Sequence, residues 1–495
     1  MESNVFEKLI IFEMANNHQG SVEHGINIIN AVGELASKYG INAAIKFQYR
    51  DLDTMIHPDY KNRTDVKHIP RFMSTRLNSD QFYQLVKVAK SVGLKTMCTP
   101  FDEKSVDLIC EHGIDIIKIA SCSAVDWPLL EKVAQANKPV IISTGGKSFL
   151  QMDRIYSFLE HRGVNFAMLH CVGMYPVKEE DVQLNVMTRM MNRYHVPVGY
   201  SGHENPNDFT ICKMAIAKGA SILERHVGLA TNEIKLNAYS TDVRDADKWI
   251  EAIISAFKIC GGDEDKRIPE AELKSMEELA RGAYVNKAIK QGDKINREDV
   301  FFAMPCQTNQ TTSGEFVEGM VATRDYSKNE PLYERRADDI VYSVRDIIHD
   351  VKGMLAEANI VVGPDFELEL SHHYGLDKFR EYGATIVNII NREYCKKLII
   401  MLPGQKHPNH YHKVKEESFQ VLYGKLDLIM DGKYQEVRTG EVVTVKRNSQ
   451  HAFSSKDGCI FEEISTTHVK NDSYYEDERI AKLDLMQRKT ILENW

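Results

Sequence analysis

The sequence predicts an α/β chain built on a (β/α)8, or TIM, barrel, followed by a small β-rich domain and a C-terminal β barrel. Three observations carry that prediction. Eight short apolar runs between residues 9 and 262 alternate with amphipathic helical stretches, the count and length of an eightfold barrel. A charged, linker-like stretch at 263–282 breaks the alternation. Beyond residue 376 the pattern turns to dense short strands. The predicted domains are residues 1–262, 279–338 and 376–470.

Composition bounds the function. The chain has 495 residues, 43% hydrophobic and 27% charged, enough for several packed cores. The net charge of -9 is spread along the chain with no basic run, which argues against a nucleic-acid partner and for a small-molecule one. The apolar run Leu9 to Phe12 is too short for a signal segment, and no later stretch approaches a membrane span. Nine scattered cysteines without a CxxC pair suit a reducing compartment, so a soluble, cytoplasmic protein is expected.

The eight runs are LIIFE, AAIKFQ, LKTMCT, DIIKIAS, PVIISTG, NFAMLHC, VPVGYS and SILERH. Between them lie helical patterns such as INIINAVGELASKYG and DQFYQLVKVAKSVG, with DKWIEAIISAFKICGG after the last, each with apolar residues three and four apart and a closing glycine. An open doubly wound sheet would call for a glycine-rich phosphate loop after the first strand, and ANNHQG is not one. Residues 196–229 read as strand, turn, helix, strand, with Asn205 as N-cap, Pro206 as first helical residue and Gly219 closing the helix.

Barrel chemistry is assembled at the C-terminal strand ends. Here those ends carry Glu13, Lys46 with Gln48, Thr99, Lys118 with Ser121, Ser143 with Thr144, His170, Ser201 with His203, and Glu224 with His226. His203 and His226 follow consecutive strands, so they converge as a candidate divalent metal site. Lys46 and Lys118 are costly to bury without a counter-ion: they form structural ion pairs or they bind an anionic ligand, phosphate or carboxylate. Lys118 also reads as a Schiff-base nucleophile, which the histidine pair disfavours because an imine mechanism needs no metal.

The motifs EMANNHQG, IKFQ, CTPFD, KIAS, STGG, LHCVGMYP, GYSGHE and ERHVGL resemble, in order, the strand-end motifs of the sialic acid synthases. Those enzymes condense phosphoenolpyruvate with an N-acylated hexosamine into a nine-carbon 2-keto-3-deoxy acid. The resemblance implies that His203 and His226 hold Mn2+, or Mg2+ or Co2+. It implies phosphoenolpyruvate binding by Lys46, Thr99, Lys118, Ser121, Ser143 and Ser201, with Glu13, Lys46 and Lys118 catalytic and Glu13 the acid/base carboxylate. Tyr175 and Asn237 would face the sugar. The chain departs from the family at Gly173, Ser123, Asn237 and Met304, where the family has Asn, in some members Glu, Asp and Arg respectively. The phosphoenolpyruvate half is therefore intact and the sugar half altered, which leaves a modified or differently acylated acceptor open. The long segment after the second strand brings Arg71 and Arg76 toward the mouth or makes a surface excursion.

AIKQGDKINREDV and RDYSKNEPLYERR form a weak internal repeat that resembles the antifreeze-like (SAF) domain of the same family, which implies a domain-swapped homodimer. Residues 339–375 read as a connector with one helix. Within the strand-rich region, G-x5-H-x-H-x4-E-x6-G places His410, His412 and Glu417 to share a metal with His451. This spacing resembles the cupin motif, and LPGQKHP to EISTTH is similar to the sugar isomerases related to D-lyxose isomerase, implying a second divalent metal, Zn2+, Mn2+ or Fe2+. Intact ligands allow an isomerase or epimerase, with Glu462 or Glu463 as base, or a sugar-binding module. The tail from Tyr474 is expected to be a helix.

Overall fold

Eight parallel strands, β1 (Leu9–Glu13), β2 (Ala43–Tyr49), β3 (Lys95–Pro100), β4 (Ile116–Ile119), β5 (Val140–Ser143), β6 (Phe166–Cys171), β7 (Val198–Gly202) and β8 (Ile222–Gly228), pair in sequence order, and β8 returns to β1 to close a barrel. The computed structural model describes residues 5–262, 266–335, 340–363 and 365–495. Residues 1–4, 263–265, 336–339 and 364, among them the predicted domain edges at 1 and 338, lie outside the described residues. The chain divides into two units, Met1–Asp265 and Lys266–Trp495.

Inside the barrel Leu9, Ile11, Ala44, Met97, Ile116, Ile141, Leu169 and Ile222 form a dry plug. Side chains alternate along a strand, so two residues further on the same inward face turns polar: Ile11 gives way to Glu13, Ala44 to Lys46, Met97 to Thr99, Ile116 to Lys118, Ile141 to Ser143 and Ile222 to Glu224. The outward residues pack under the helices. The helix Val22–Tyr39 shows how they are set: Ser21 caps it by accepting from the His24 amide at 3.1 Å, Ile28, Ile29, Val32 and Leu35 face inward, and Gly40 ends it with φ of 61°.

The helix after β7 begins at Thr210, not Pro206. Asn205 caps a turn instead, accepting from the Asn207 amide at 3.0 Å, and Asp208 accepts from the Thr210 amide at 2.8 Å. Arg225 fixes that turn by donating to the carbonyls of Pro206 and Asp208 at 3.1 and 3.0 Å and to Glu204 at 2.6 Å.

In the second unit, part of the predicted linker is a helix, Glu270–Leu279, which starts after Pro269 with Glu270 and Glu272 in its first turn and buries none of its residues. Two small antiparallel sheets follow, Gly282–Val285 with Val300–Ala303 and Lys294–Ile295 with Met320–Val321. The halves of the weak repeat pair through Ile289 and Tyr326. The remaining strands form one large antiparallel sheet that curls into the cupin barrel. It extends beyond 376–470. The helix Ile340–Glu357 is no connector, because Ile347, Val351 and Leu355 pack on Leu368, Leu370, Phe379 and Ile400. The tail is not a helix either: Lys489–Leu492 is a strand beside Glu367–His372, and only Glu478–Ala481 is helical. Among the described residues no helix is long and apolar enough to cross a membrane.

The predicted strands SFQVLYG and LDLIMDG are one strand, Glu417–Met430, bent at Gly424. Gly424 has φ of 73°, and a Cβ there would collide with the Gly458 carbonyl. Gly424→Val is therefore expected to destabilise the cupin by about 3 kcal/mol, combining left-handed strain with overpacking, read as a lowered melting temperature in calorimetry.

Candidate active site and metal centres

At the barrel mouth Lys46 Nζ lies 2.7 Å from Glu13 Oε2 and 2.7 Å from Glu224 Oε2. Ser201 Oγ donates to Glu224 Oε1 at 2.9 Å, and Lys118 Nζ donates to Ser143 Oγ at 2.6 Å. The Gly145 amide donates to Ser121 Oγ at 2.9 Å, so that hydroxyl keeps its own proton for a ligand. Thr99 is buried on the same inward face. The predicted anion-binding residues thus converge on one mouth. Glu224, noted in the sequence only as a strand-end residue, stands at its centre.

Burial dominates the electrostatics. It raises the Glu13 carboxyl above its ordinary range, against the pull of Lys46 and with the push of Glu224. It opposes the Lys46 ammonium, but the two carboxylates outweigh it and leave that pKa raised. Burial draws Lys118 down to about 8. Glu224 is held near 2 because Lys118 and Lys46 overcome its own desolvation.

His203 and His226 face each other with ring centroids 5.4 Å apart. The His203 Nδ1–H donates to the Val172 carbonyl at 3.0 Å, which leaves Nε2 as a lone-pair donor. Burial lowers the pKa of both imidazoles and favours the neutral, ligating form. Tyr175 lies against His203 at 4.1 Å and Tyr239 against His226 at 5.1 Å. Tyr239 was not singled out from the sequence. Asn237 is exposed and spends its side chain accepting from the Tyr239 amide at 3.1 Å, so it shapes the loop that presents the tyrosine.

Other strand-end residues face away. Thr144 donates to the Leu169 carbonyl at 3.0 Å and His170 bonds the Val182 carbonyl at 2.6 Å, because both are out of phase with the inward face; Cys171 takes the inward place on β6. Arg71 clasps the loop after β1 through Gln19 at 2.7 Å and the Asn16 carbonyl at 3.1 Å. Arg76 stays on its own segment, paired with Asp53. Met304, in the second unit, is exposed.

In the cupin, His410, His412 and His451 bring ligand atoms within 4.8 Å of one another, the one such cluster of three among the described residues. Their Nδ1–H groups donate to the carbonyls of Pro408, Asp472 and Ser449 at 3.1, 2.7 and 3.1 Å, which directs each Nε2 inward. Glu417 Oε2 lies 3.2 Å from His451 Nε2, yet neither atom, nor His412 Nε2, has a hydrogen-bond partner among the described residues. Buried orphan donors of this kind fit a divalent ion. Lys415, which the spacing did not flag, reaches both Glu417 and Glu463, the latter at 2.8 Å. Glu462 pairs with Lys396 instead and is not part of the cluster.

A closed parallel barrel whose mouth carries buried lysines and two facing histidines, followed along the chain by a histidine-lined cupin, places two candidate sites on one chain. Residues 34–265 match the NeuB family and residues 397–460 the cupin domain. Human N-acetylneuraminate-9-phosphate synthase is 31% identical over 297 residues, covering 57% of this chain and 79% of that one. N,N'-diacetyllegionaminic acid synthase of Campylobacter jejuni is 26% identical over 343 residues, 66% of this chain and 99% of that one. A crystal structure described as a spore coat polysaccharide biosynthesis protein E of Chromobacterium violaceum is 40% identical with a TM-score of 0.64, covering 66% of this chain and 97% of that one. The chain belongs to the NeuB family, the sialic acid synthases, and carries a cupin domain.

Proposed function

We propose that the barrel condenses phosphoenolpyruvate with an N-acylated hexosamine, releasing phosphate and giving a 2-keto-3-deoxy sugar acid. The observation that carries this reading is the mouth itself: two buried lysines and a ring of hydroxyls beside two neutral, facing imidazoles. The donor set fits a divalent ion with open positions, Mn2+ or Mg2+ or Co2+, which would polarise the sugar aldehyde. Lys46, Lys118, Thr99, Ser121, Ser143 and Ser201 seat the phosphate and carboxylate. The enol carbon attacks the aldehyde carbon, water adds at C2, and the tetrahedral carbon expels phosphate. Glu13, with its raised pKa, moves the proton at that centre. Tyr175 and Tyr239 wall the sugar side.

Residues 279–338 are read as an antifreeze-like domain, and with it the chain as a domain-swapped homodimer. The cupin supports a second reading, a metal-dependent sugar isomerase or epimerase, because the Lys415–Glu463 pair stands beside the histidine cluster.

Phosphate release from phosphoenolpyruvate with Mn2+ across a panel of N-acylated hexosamines tests the first reading. Sugar-dependent release is expected; none with any sugar, alongside ketose formation lost in His410→Ala, would move the chemistry to the cupin. The pH dependence follows from Lys118, whose ammonium is needed for the anion and whose pKa burial draws to about 8. KM for phosphoenolpyruvate is expected to stay flat at neutral pH and to rise above that value as the free enzyme loses the charge.

A further inference from the structure

The strands of the cupin enclose a cavity of about 520 Å3, within the range of small-molecule sites. Most charges on its wall are accounted for. Lys415 serves Glu417 and Glu463, and Lys489 pairs with Glu369 at 2.8 Å. Two cations are different: Arg488, whose buried Nε has no hydrogen-bond partner among the described residues, and Lys397, the more deeply buried of the two. Lys397 lies within the strand Tyr394–Met401, in register with Glu463 and Asn388, lines the cavity and is 7% exposed. No carboxylate oxygen of the described residues comes within 4.0 Å of its Nζ: its register partner Glu463 acts on it only at longer range, while Glu463 Oε1 takes Lys415 at 2.8 Å and the Ser465 hydroxyl at 3.0 Å. Beside it on the same wall, His468 keeps a buried Nδ1 with no hydrogen-bond partner among the described residues.

A buried ammonium with no direct ion pair keeps part of its desolvation cost, and it gains when an anion enters. The histidine cluster adds no competing demand: Glu417 and Glu463 share one lysine, and a divalent ion would neutralise the remaining carboxylate charge. Lys397, held in no direct ion pair, therefore faces the cavity with its N–H groups available to a ligand. We propose that the cupin cavity binds an anionic sugar, one bearing a carboxylate or a phosphate, with its charged group on Lys397 and its hydroxyls toward His410, His412 and His451. Carboxylate and phosphate share the relevant chemistry, a delocalised anion accepting charge-assisted N–H bonds. The assignment is independent of the barrel reaction.

The test is calorimetric titration of the full-length, metal-loaded protein with glucuronate, mannose 6-phosphate and neutral mannose, on wild type, Lys397→Met, Lys397→Arg and Arg488→Gln. The barrel's own anion-binding mouth is untouched by the Lys397 substitutions, so the Lys397-dependent part of the binding reports the cupin alone. Wild type is expected to bind at least one charged sugar about tenfold or more tighter than mannose. Lys397→Met should erase that preference with bound metal unchanged, and Lys397→Arg should keep part of it. Preference for glucuronate alone identifies a carboxylate ligand, and for mannose 6-phosphate alone a phosphate ligand. Equal affinity for mannose, no saturable binding by any of the three, or a preference that survives Lys397→Met and falls only in Arg488→Gln would overturn the proposal. Should Lys397→Met fail to fold, Lys397→Gln keeps the polarity and serves the same comparison.

Discussion

His226→Ala is expected to reduce sugar-dependent phosphate release by about a thousandfold while leaving the barrel folded. The imidazole sits at the end of β8, in register with Glu13 on β1, and faces His203 across the mouth. Removing it leaves one histidine where two converge, and several kcal/mol of charge stabilisation at the aldehyde are lost, which at about 1.4 kcal/mol per decade is that thousandfold. His226 supports little of the barrel's packing: its ring meets Tyr239 and His203 rather than the apolar plug of Leu9, Ile11 and Ile222. The measurement is phosphate release with and without added Mn2+, with the melting curve as control. Undiminished release with an unchanged requirement for metal would remove His226 from the site.

Lys46→Met carries a second large effect, on stability as well as activity. The ammonium is the shared partner of Glu13 and Glu224, each 2.7 Å away, and all three are buried. Methionine fills a similar volume but leaves two carboxylates facing each other out of water, a loss of about 3–5 kcal/mol for a broken buried pair. The pH dependence has a definite sign. The Glu13 pKa is already raised by burial and by Glu224, and without Lys46 it rises further. A carboxyl whose folded pKa exceeds its unfolded value destabilises above that folded pKa and ceases to do so below the unfolded one. The variant should therefore regain stability relative to wild type as the pH is lowered through the acidic range. Denaturation midpoints at neutral and acidic pH would show it, and a deficit independent of pH would point to packing instead.

Much of the barrel mouth was legible because strand geometry converts a sequence step of two into a common face: Lys46 with Gln48, or Ser201 with His203, needed only the strand ends to be located. The same rule misled where phase was ignored, as at His170 and Thr144, which point outward. Glu224 could not be ranked from sequence, since its importance comes from Lys46, a residue two strands away around the closure. In the cupin the spacing named His410, His412, Glu417 and His451 and missed Lys415, which has no motif of its own and is defined by Glu463 on the neighbouring strand. The tail strand was illegible for a related reason: KTIL has little pattern, and its state is decided by pairing with Glu367–His372.

Both folds are completed by partners distant along the chain: Leu9 meets Ile222 to close the barrel, and in the cupin the edge strand Lys489–Leu492 covers Glu367–His372, with Lys489 reaching Glu369, 120 positions earlier. During synthesis each sheet waits with an open edge until its last strand emerges. Loop-closure entropy rises only slowly with length, so the delay is one of order rather than of equilibrium, but a waiting edge is a template for other chains. A ribosome stalled before residue 489 would hold a cupin with the Glu367–His372 strand unpaired on one side, and such a nascent chain should lean on chaperones more heavily than one released after the seal has formed.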